Sequence, residues 1–291
     1  MGFTMNDMAV KYLSTDYAMH QVIGIRSAIA LAITLLLIMP LTGGFAQIRT
    51  RKPFTHMLRG LFVVGANMAF FLALAAMPMA DATAIFFVSP MIIALFSVIF
   101  LKETVGPRRW LAIGFGLLGV VIMIRPGSDT FSPIALLPLL AAAAYAGLHT
   151  LTRKLGVSES AATLAFYIQV TFILFSAAVG LSIGDGRFDT GSHASLSFLT
   201  RAWTWPAAAD WPFFLITGLG SAIGGLLISQ AYRLCEAALV APLEYIAMPM
   251  AIFWGVLIFG DWPDGWAWIG IFLIIGSGIY MIWRETLNRV K

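Results

Sequence analysis

Two charged side chains stand inside apolar stretches of this 291-residue chain. Glu244 lies about two turns into the stretch 238–259, just after Pro242, and Arg26 lies about two turns into the stretch 20–41. A charge at the centre of a membrane-spanning helix costs about 2.5–3.5 kcal/mol and commonly marks a ligand or proton pathway. Glu244 is therefore predicted to bind substrate or a proton, with a structural carboxylate as the alternative. For Arg26 we expect the side chain to extend to the outer membrane interface, with substrate contact as the other interpretation.

Uncharged polar side chains could line the same cavity. Tyr145 and His149 are four residues apart and therefore share one helix face. Hydrogen bonds between helices explain such residues as well as ligand contact does, and for His149 solvation near a helix end is the simplest interpretation. The predicted substrate-binding residues are Glu244, Tyr245, Asn67, Tyr145, His149, Tyr167, Gln169 and Arg26.

Metal, redox and catalytic chemistry have no recognisable pattern in the sequence. There is a single cysteine, Cys235, and the four histidines form neither a CxxC nor an HExxH spacing. An intramembrane enzyme, the alternative from another class, would need a catalytic pair or a metal cluster near one interface. We therefore expect no enzyme activity, no cofactor, no metal and no catalytic residue. Basic residues are scattered between apolar runs, so nucleic acid is not an expected partner.

The elements that must position these residues are membrane-spanning helices. Hydrophobic residues make up 60% of the chain and charged residues 11%, a composition that no soluble domain has. Apolar runs long enough to cross a hydrocarbon core of about 30 Å follow one another. The nine complete spans are predicted at 20–41, 56–77, 80–101, 109–125, 131–152, 161–183, 211–232, 238–259 and 265–283.

The first fourteen residues are too short for a further span. Fully helical, they would cover about 20 Å, and they include Asn6, Asp7 and Lys11. They also lack the charged start, apolar core and cleavage site of a signal peptide. We interpret them as the last part of a tenth helix. Either the coding sequence begins further upstream, or a shortened first helix suffices.

Basic residues divide between two sets of alternate loops. Thirteen of the 18 lie in one set and the C-terminal tail, while the other set carries four. Because cytoplasmic loops accumulate Lys and Arg, the first set, which includes Arg59, and the C terminus are predicted to be cytoplasmic. The longest loop, 184–210, then lies outside. It is expected to be a flexible surface segment, with a binding lid as the alternative.

Two parts of the chain share one order of unlike features. Pro90 opens an apolar run that ends at Glu103, and Pro249 opens one that ends at Asp261. Each run is followed by a tryptophan and then by several glycines. Similarity by chance between apolar helices is the alternative, but this order favours an internal repeat. Prolines at matching places indicate bent or unwound helices.

The repeat predicts a division into residues 1–127 and 128–291. Five crossings is an odd number, so the second repeat would enter the membrane from the opposite side. Such an inverted pair permits one arrangement open to each side of the membrane, with the substrate site near the midplane. This architecture favours a transporter over a static membrane protein.

Four stretches in this order resemble one transporter family. They are 51–60, 90–103, 240–245 and 273–285. The sequence is similar there to the EamA branch of the drug/metabolite transporter superfamily, and the resemblance covers nearly the whole chain. It implies an all-α membrane protein with ten helices, the first apparently shortened, in two inverted five-helix repeats. A central cavity would open alternately to each side.

Within this branch, the stretch 51–60 is similar to bacterial riboflavin and S-adenosylmethionine carriers. The resemblance implies a secondary transporter of a small metabolite in the bacterial cytoplasmic membrane, with riboflavin uptake as the leading interpretation. An S-adenosylmethionine, amino-acid or other metabolite carrier, for import or export, stays open. Riboflavin suits aromatic residues with Asn67 and Gln169, whereas a cation would make better use of Glu244. Expected partners are the small-molecule substrate, membrane lipid and, as an open alternative, a second copy of the chain.

Overall fold

A computed structural model of the chain describes residues 2–102, 106–125, 132–155, 159–235, 237–240, 244 and 247–289. Within these ranges the fold is helical, at 83% helix, and has no strand. Six helices are long and apolar enough to cross a membrane, and three shorter apolar helices accompany them. The prediction of an all-α, multi-pass membrane bundle is confirmed.

Ten helical segments follow one another in the described part of the chain. They are α1 (Gly2–Leu13), α2 (Met19–Thr42), α3 (Pro53–Ala76), α4 (Met79–Leu101), α5 (Pro107–Ile124), α6 (Pro133–Leu155), α7 (Ala161–Ile183), α8 (Ala208–Leu234), α9 in two parts (Ala237–Val240 and Ala247–Phe259) and α10 (Gly265–Arg289). The segments α2 to α10 correspond within a few residues to the nine predicted spans. The first helix is short, with 12 residues.

The fourth helix is interrupted. In α4 the helix stops after Phe86 and restarts at Ser89, directly before Pro90. Proline is tolerated there because the first turn of a helix leaves its N–H groups unbonded in any case. The described parts of α9 are Ala237–Val240 and Ala247–Phe259, and Glu244 between them has 3-10 geometry. The predicted bend in the region of Pro90 is thus seen in α4, whereas Pro242 lies outside the described residues.

Glycines allow close helix crossings at two places. A β-carbon on Gly220 would lie 3.0 Å from the carbonyl oxygen of Gly2, and one on Gly224 would lie 3.1 Å from the ring of Phe3. This small-residue face of α8 therefore holds α1. Between α5 and α10, a β-carbon on Gly119 would lie 2.8 Å from the carbonyl oxygen of Gly270.

The long loop between α7 and α8 is only partly exposed. Residues 185–192 are largely accessible, but the loop helix Ala194–Thr200 buries Phe198 completely. Ser195 donates a hydrogen bond of 2.7 Å to the carbonyl oxygen of Leu72. Thr204 and Gln21 exchange hydrogen bonds in both directions. The expectation of a flexible segment is therefore wrong for the second part of the loop, because it is fastened to α2 and α3.

Candidate substrate-binding site

Glu244 lies between the two described parts of α9 and joins α6 and α8. Tyr145 of α6 donates a hydrogen bond of 2.9 Å to Oε2, and Tyr232 of α8 donates one of 2.5 Å to Oε1. Both carboxylate oxygens therefore have a donor, which offsets part of the cost of placing this group in the membrane. Tyr232 was not predicted as a site residue. A tyrosine one turn after polar Ser229 and Gln230 is the only local signal that could have indicated it.

His149 completes this cluster from the same helix face as Tyr145. Its ring centre lies 4.1 Å from that of Tyr145 and 3.8 Å from that of Tyr232. The side chain is 2% exposed, and neither ring nitrogen has a hydrogen-bond partner among the described residues. The interpretation of His149 as a solvated residue near a helix end is therefore wrong, because two tyrosine rings cover it.

Further aromatic rings extend the cluster toward α3. The ring of Phe70 lies 4.9 Å from that of Phe86, and Phe86 lies 5.2 Å from Tyr145 in an edge-to-face arrangement. We call Phe70, Phe86, Tyr145, His149 and Tyr232 the aromatic row. It draws on α3, α4, α6 and α8. A wall of this kind suits a planar ligand, since aromatic rings favour stacked and edge-to-face contacts.

Arg26 of α2 lies in the interior of the bundle. The side chain is 3% exposed, and its Nη1 donates a hydrogen bond of 3.3 Å to Oδ1 of Asn67 on α3. The guanidinium carbon lies 5.3 Å from the ring centre of Phe71 and 4.6 Å from that of Phe172, within the range of cation–π attraction. The expectation that Arg26 extends to the membrane interface is wrong, because these rings and Asn67 hold it inside.

Asp7 of α1 faces the same interior region. Its Oδ1 accepts a hydrogen bond of 3.0 Å from Asn6, and its charge acts on both Arg26 and Tyr145. Tyr145 also donates a hydrogen bond to Glu244, so both carboxylates lie near this tyrosine. No binding role was predicted for Asp7, since in the sequence it indicates only the polar end of a short helix.

Four polar residues keep accessible surface although their helices surround them. Asp7, Asn67, Tyr145 and Glu244 are each half-buried. Asn67 and Tyr145 have hydrogen-bond partners on other helices, Arg26 of α2 and Glu244 of α9. The structure thus brings together five of the predicted residues around one region: Glu244, Tyr145, His149, Asn67 and Arg26.

The remaining predicted residues lie elsewhere or outside the described part. Gln169 of α7 is buried and donates a hydrogen bond of 3.1 Å to Ser221, within a π-helical turn of α8, while its Oε1 has no partner in the ranges described. Tyr167 donates to the carbonyl oxygen of Ile48 at 2.8 Å and stacks on His56, so it lies near the loop after α2. Tyr245 lies outside the described residues.

Arg59 of α3 was predicted to lie in a cytoplasmic loop. The structure places it within the helix, 2% exposed, with all three nitrogen atoms engaged. Nε donates to Thr152 at 2.8 Å, Nη1 to the carbonyl oxygen of Leu164 at 2.8 Å, and Nη2 to Ser229 at 3.2 Å. This prediction is wrong because a charge near the end of an apolar run looks the same in sequence whether it points to water or into the bundle.

At one end of the bundle, Lys11 connects distant parts of the chain. Its ammonium group donates to the carbonyl oxygen of Met77 at 2.8 Å and pairs with Asp261 at 3.0 Å. On the same face Arg125 pairs with Asp264. We call this end the Lys11 face. At the opposite end, the Arg153 face, Arg153 donates to the carbonyl oxygen of Arg233 at 3.2 Å.

Metal binding has no support in the described ranges. No group of three or more His, Cys, Asp or Glu side chains there could hold an ion. Cys235 is exposed. The chemistry available at the site is therefore hydrogen bonding, charge and aromatic contact.

Comparison with known proteins identifies transporters. Residues 2–125 match the EamA-like transporter family. A riboflavin transporter of Rhizobium johnstonii is 29% identical over 85% of this chain and 76% of its own length. An S-adenosylmethionine uptake transporter of Rickettsia conorii is 24% identical over 98% and 90%, and a pseudopaline exporter of Pseudomonas aeruginosa is 27% identical over 99% and 93%. A solved crystal structure, 21% identical, covers this chain completely at a TM-score of 0.68 and has the same fold.

Proposed function

We propose that this chain, whose residues 2–125 match the EamA-like transporter family, takes up riboflavin across the bacterial cytoplasmic membrane by alternating access. The coarser statement, a multi-pass membrane transporter, follows from the family and the apolar helices. The family and the relatives are transporters, which points away from an enzyme. Relatives named riboflavin transporter in Rhizobium johnstonii, Brucella anthropi and Vibrio cholerae are 25–29% identical to this chain over most of its length.

The observation that carries the proposal is the aromatic row ending at a hydrogen-bonded carboxylate. Riboflavin combines a planar ring system with a chain of hydroxyl groups and no net charge. The rings of Phe86 and Tyr145 would face the planar part, and Glu244 and His149 would bond the hydroxyls. Ligand sites of this kind are mostly apolar and aromatic with a few polar groups that fix the orientation.

The proposed binding residues are the five that the structure brings together, with one buried amide in addition. Glu244, Tyr145, His149, Asn67 and Arg26 would contact the ligand, and Gln169 would join them through its unpaired carbonyl oxygen. Tyr167 is not included, because it is bonded to the loop after α2. Tyr245 remains a prediction by its place beside Glu244.

The transport cycle would use the two halves 1–127 and 128–291 as inverted repeats. The interruption of α4 beside Pro90 supports this division, since broken helices are a feature of such inverted-repeat transporters. The distribution of basic residues supports a cytoplasmic Arg153 face and C terminus, with the Lys11 face outside. Binding of membrane lipid and of a second copy of the chain stay predictions.

Riboflavin uptake is tested in a bacterial auxotroph that lacks its own riboflavin carrier. Expression of this chain should restore growth at limiting riboflavin, and Glu244→Gln should reduce it at least about tenfold if the carboxylate contacts the ligand. Asp185→Asn, on the exposed loop, is the matched control and should behave as wild type. Unrestored growth with correctly inserted protein would reject riboflavin as the substrate.

S-adenosylmethionine is the second candidate, favoured by the two interior carboxylates. Asp7 and Glu244 would attract a cationic ligand, and relatives in Rickettsia that are 24–26% identical carry that name. A competition experiment distinguishes riboflavin from S-adenosylmethionine as the substrate. An excess of S-adenosylmethionine that abolishes uptake of labelled riboflavin would show a shared site, whereas uptake of S-adenosylmethionine alone would replace the first proposal.

A further inference from the structure

Arg26 and Asp7 lie near each other without forming an ion pair. Arg26 is 3% exposed and uses only Nη1, in the bond to Asn67; Nε and Nη2 have no hydrogen-bond partner in the part of the chain described. Asp7 acts on Arg26 electrostatically, yet no described carboxylate lies within 4.0 Å of the guanidinium nitrogens. Buried N–H donors without an acceptor are costly, so this arrangement is expected where a ligand supplies the acceptor.

We propose that Arg26 and Asp7 together bind the imide edge of the flavin ring, an inference that rests on the proposed riboflavin function. An imide presents one N–H between two carbonyl oxygens. One carbonyl oxygen would accept from the free nitrogens of Arg26, and the N–H would donate to Asp7. Since the imide is neutral, the opposite charges of the two residues remain balanced when it binds, and no further charge needs to enter the membrane interior.

The surroundings of Arg26 hold the guanidinium in place for this contact. Phe71 and Phe172 lie on it at 5.3 and 4.6 Å, and Asn67 fixes one nitrogen. A planar guanidinium held in this way presents its donors in a fixed direction, which a flexible lysine would not. Phe70, the neighbour of Phe71 in sequence and in space at 6.4 Å, begins the aromatic row.

Tyr145 interacts with both polar parts of the proposed site, Glu244 and Asp7. Its hydroxyl bonds Glu244, and it also lies within reach of the charge of Asp7. A ligand with an imide at Arg26 and Asp7 would therefore lay its rings along the aromatic row and leave its hydroxylated chain for Glu244 and His149. Riboflavin carries its imide, its ring system and its hydroxylated chain in the same order as Arg26 with Asp7, the aromatic row and Glu244 with His149.

The same pair could serve a different chemistry, in which a ligand's carboxylate meets Arg26 and its ammonium group meets Asp7. An amino-acid end of this kind occurs in S-adenosylmethionine. The imide is favoured here because Phe71 and Phe172 leave a largely apolar setting around Arg26. The amino-acid end is an outcome that the experiment distinguishes.

The test compares binding of riboflavin and of 3-methylriboflavin to the purified full-length chain, by quenching of flavin fluorescence. Methylation replaces the imide N–H by N–CH3, which cannot donate, and the comparison with Asp7→Leu separates the lost hydrogen bond from the bulk of the methyl group. Wild type should bind riboflavin at least about tenfold more tightly than the methylated compound, because a buried acceptor left unpaired is penalised. In Asp7→Leu this preference should fall to less than about threefold, and Arg26→Leu should weaken both ligands by about tenfold or more. Arg187→Leu, an exposed loop residue, is the control.

The outcomes distinguish the proposed imide site from the proposed riboflavin transport. Equal binding of the two flavins to wild type, or a preference that survives in folded Asp7→Leu, would overturn the imide site while riboflavin transport stands. No riboflavin binding to wild type would overturn both, and S-adenosylmethionine binding that depends on Arg26 and Asp7 would assign the pair to an amino-acid end. Should Asp7→Leu fail to fold, the smaller Asp7→Ala takes its place in the same comparison.

Discussion

Two arginines of this bundle are buried almost equally but are satisfied very differently. Arg26 is 3% exposed and Arg59 is 2% exposed. All three nitrogen atoms of Arg59 donate hydrogen bonds to neutral oxygen atoms, on α6, α7 and α8. Arg26 donates one bond, of 3.3 Å, and two of its nitrogen atoms have no partner among the described residues.

The comparison teaches that burial of a charge does not by itself identify a binding residue. All three nitrogen atoms of Arg59 donate hydrogen bonds within the protein, so its role is to hold four helices together. Two nitrogen atoms of Arg26 are left without a partner among the described residues, and we propose that a ligand bonds them. The hydrogen-bond partners of each buried N–H donor distinguish a structural arginine from a candidate ligand-binding one, because a buried donor needs a partner.

The largest expected effect is loss of stability in Arg59→Leu. Hydrogen bonds to a charged group contribute about 1.5–3 kcal/mol each, and the change removes three, so we expect a loss of about 3 kcal/mol or more in the free energy of unfolding. Thermal melting in detergent measures it, with the exposed Arg51→Leu as control. Equal melting temperatures of the two variants would contradict the structural role of Arg59.

Arg26→Leu should have the opposite profile. The change removes one hydrogen bond where Arg59→Leu removes three, and it leaves Asp7 without its balancing charge, so the ligand-free protein should lose clearly less stability than Arg59→Leu, about 1–2 kcal/mol in the free energy of unfolding. Riboflavin affinity should fall about tenfold, equivalent to about 1.4 kcal/mol. A variant that melts much lower and binds riboflavin normally would make Arg26 a second structural arginine and end the comparison.

Tyr145 and Tyr232 extend the comparison to the carboxylate of Glu244. Each donates one bond to it, but Tyr232 is wholly buried whereas Tyr145 keeps accessible surface. Tyr232→Phe should cost about 1 kcal/mol of stability, and Tyr145→Phe should raise the KM for riboflavin severalfold with less effect on melting. Indistinguishable profiles of the two variants would show that exposure does not separate ligand contact from support.

The pair of Lys11 and Asp261 is a partly exposed contact for which a smaller effect is expected. Such pairs contribute about 0.2–1 kcal/mol. If the pair holds the Lys11 face closed, Lys11→Asp should change the uptake rate, and Lys11→Asp combined with Asp261→Lys should restore part of the loss. The exposed pair of Arg187 and Asp185, reversed in the same way, is the control and should leave uptake unchanged.

The helices could be predicted from the sequence because their signal is local. Each apolar run reports its own span, and the four-residue spacing of Tyr145 and His149 places both on one face, as the structure has them. The glycines at 220 and 224 likewise indicated a close crossing, though not that α1 would fill it.

The partners of the polar residues could not be predicted, since they come from distant parts of the chain. Nothing near Glu244 shows that Tyr145, 99 residues earlier, will bond it. Arg59 looked like a loop residue and Arg26 like an interfacial one, because sequence records a charge but not the rings or hydroxyls that meet it. Asp7 was missed for the same reason: its place opposite Arg26 exists only after α1 packs on α8.

The smallest predicted effect concerns Asp264, at the start of α10 on the Lys11 face and outside the membrane-spanning segment. The hydrogen bond from Arg125, assisted by the backbone N–H of Ala267, holds the pKa of this carboxyl below its ordinary value. Its stabilising contribution is therefore complete above about pH 4, the range of the unfolded pKa, and is lost as the pH falls through the lower folded value. Melting temperatures of wild type and Asp264→Asn should thus differ slightly at pH 6 and converge toward pH 3. A difference that stays constant over this range would show that the interaction does not depend on the charge of Asp264.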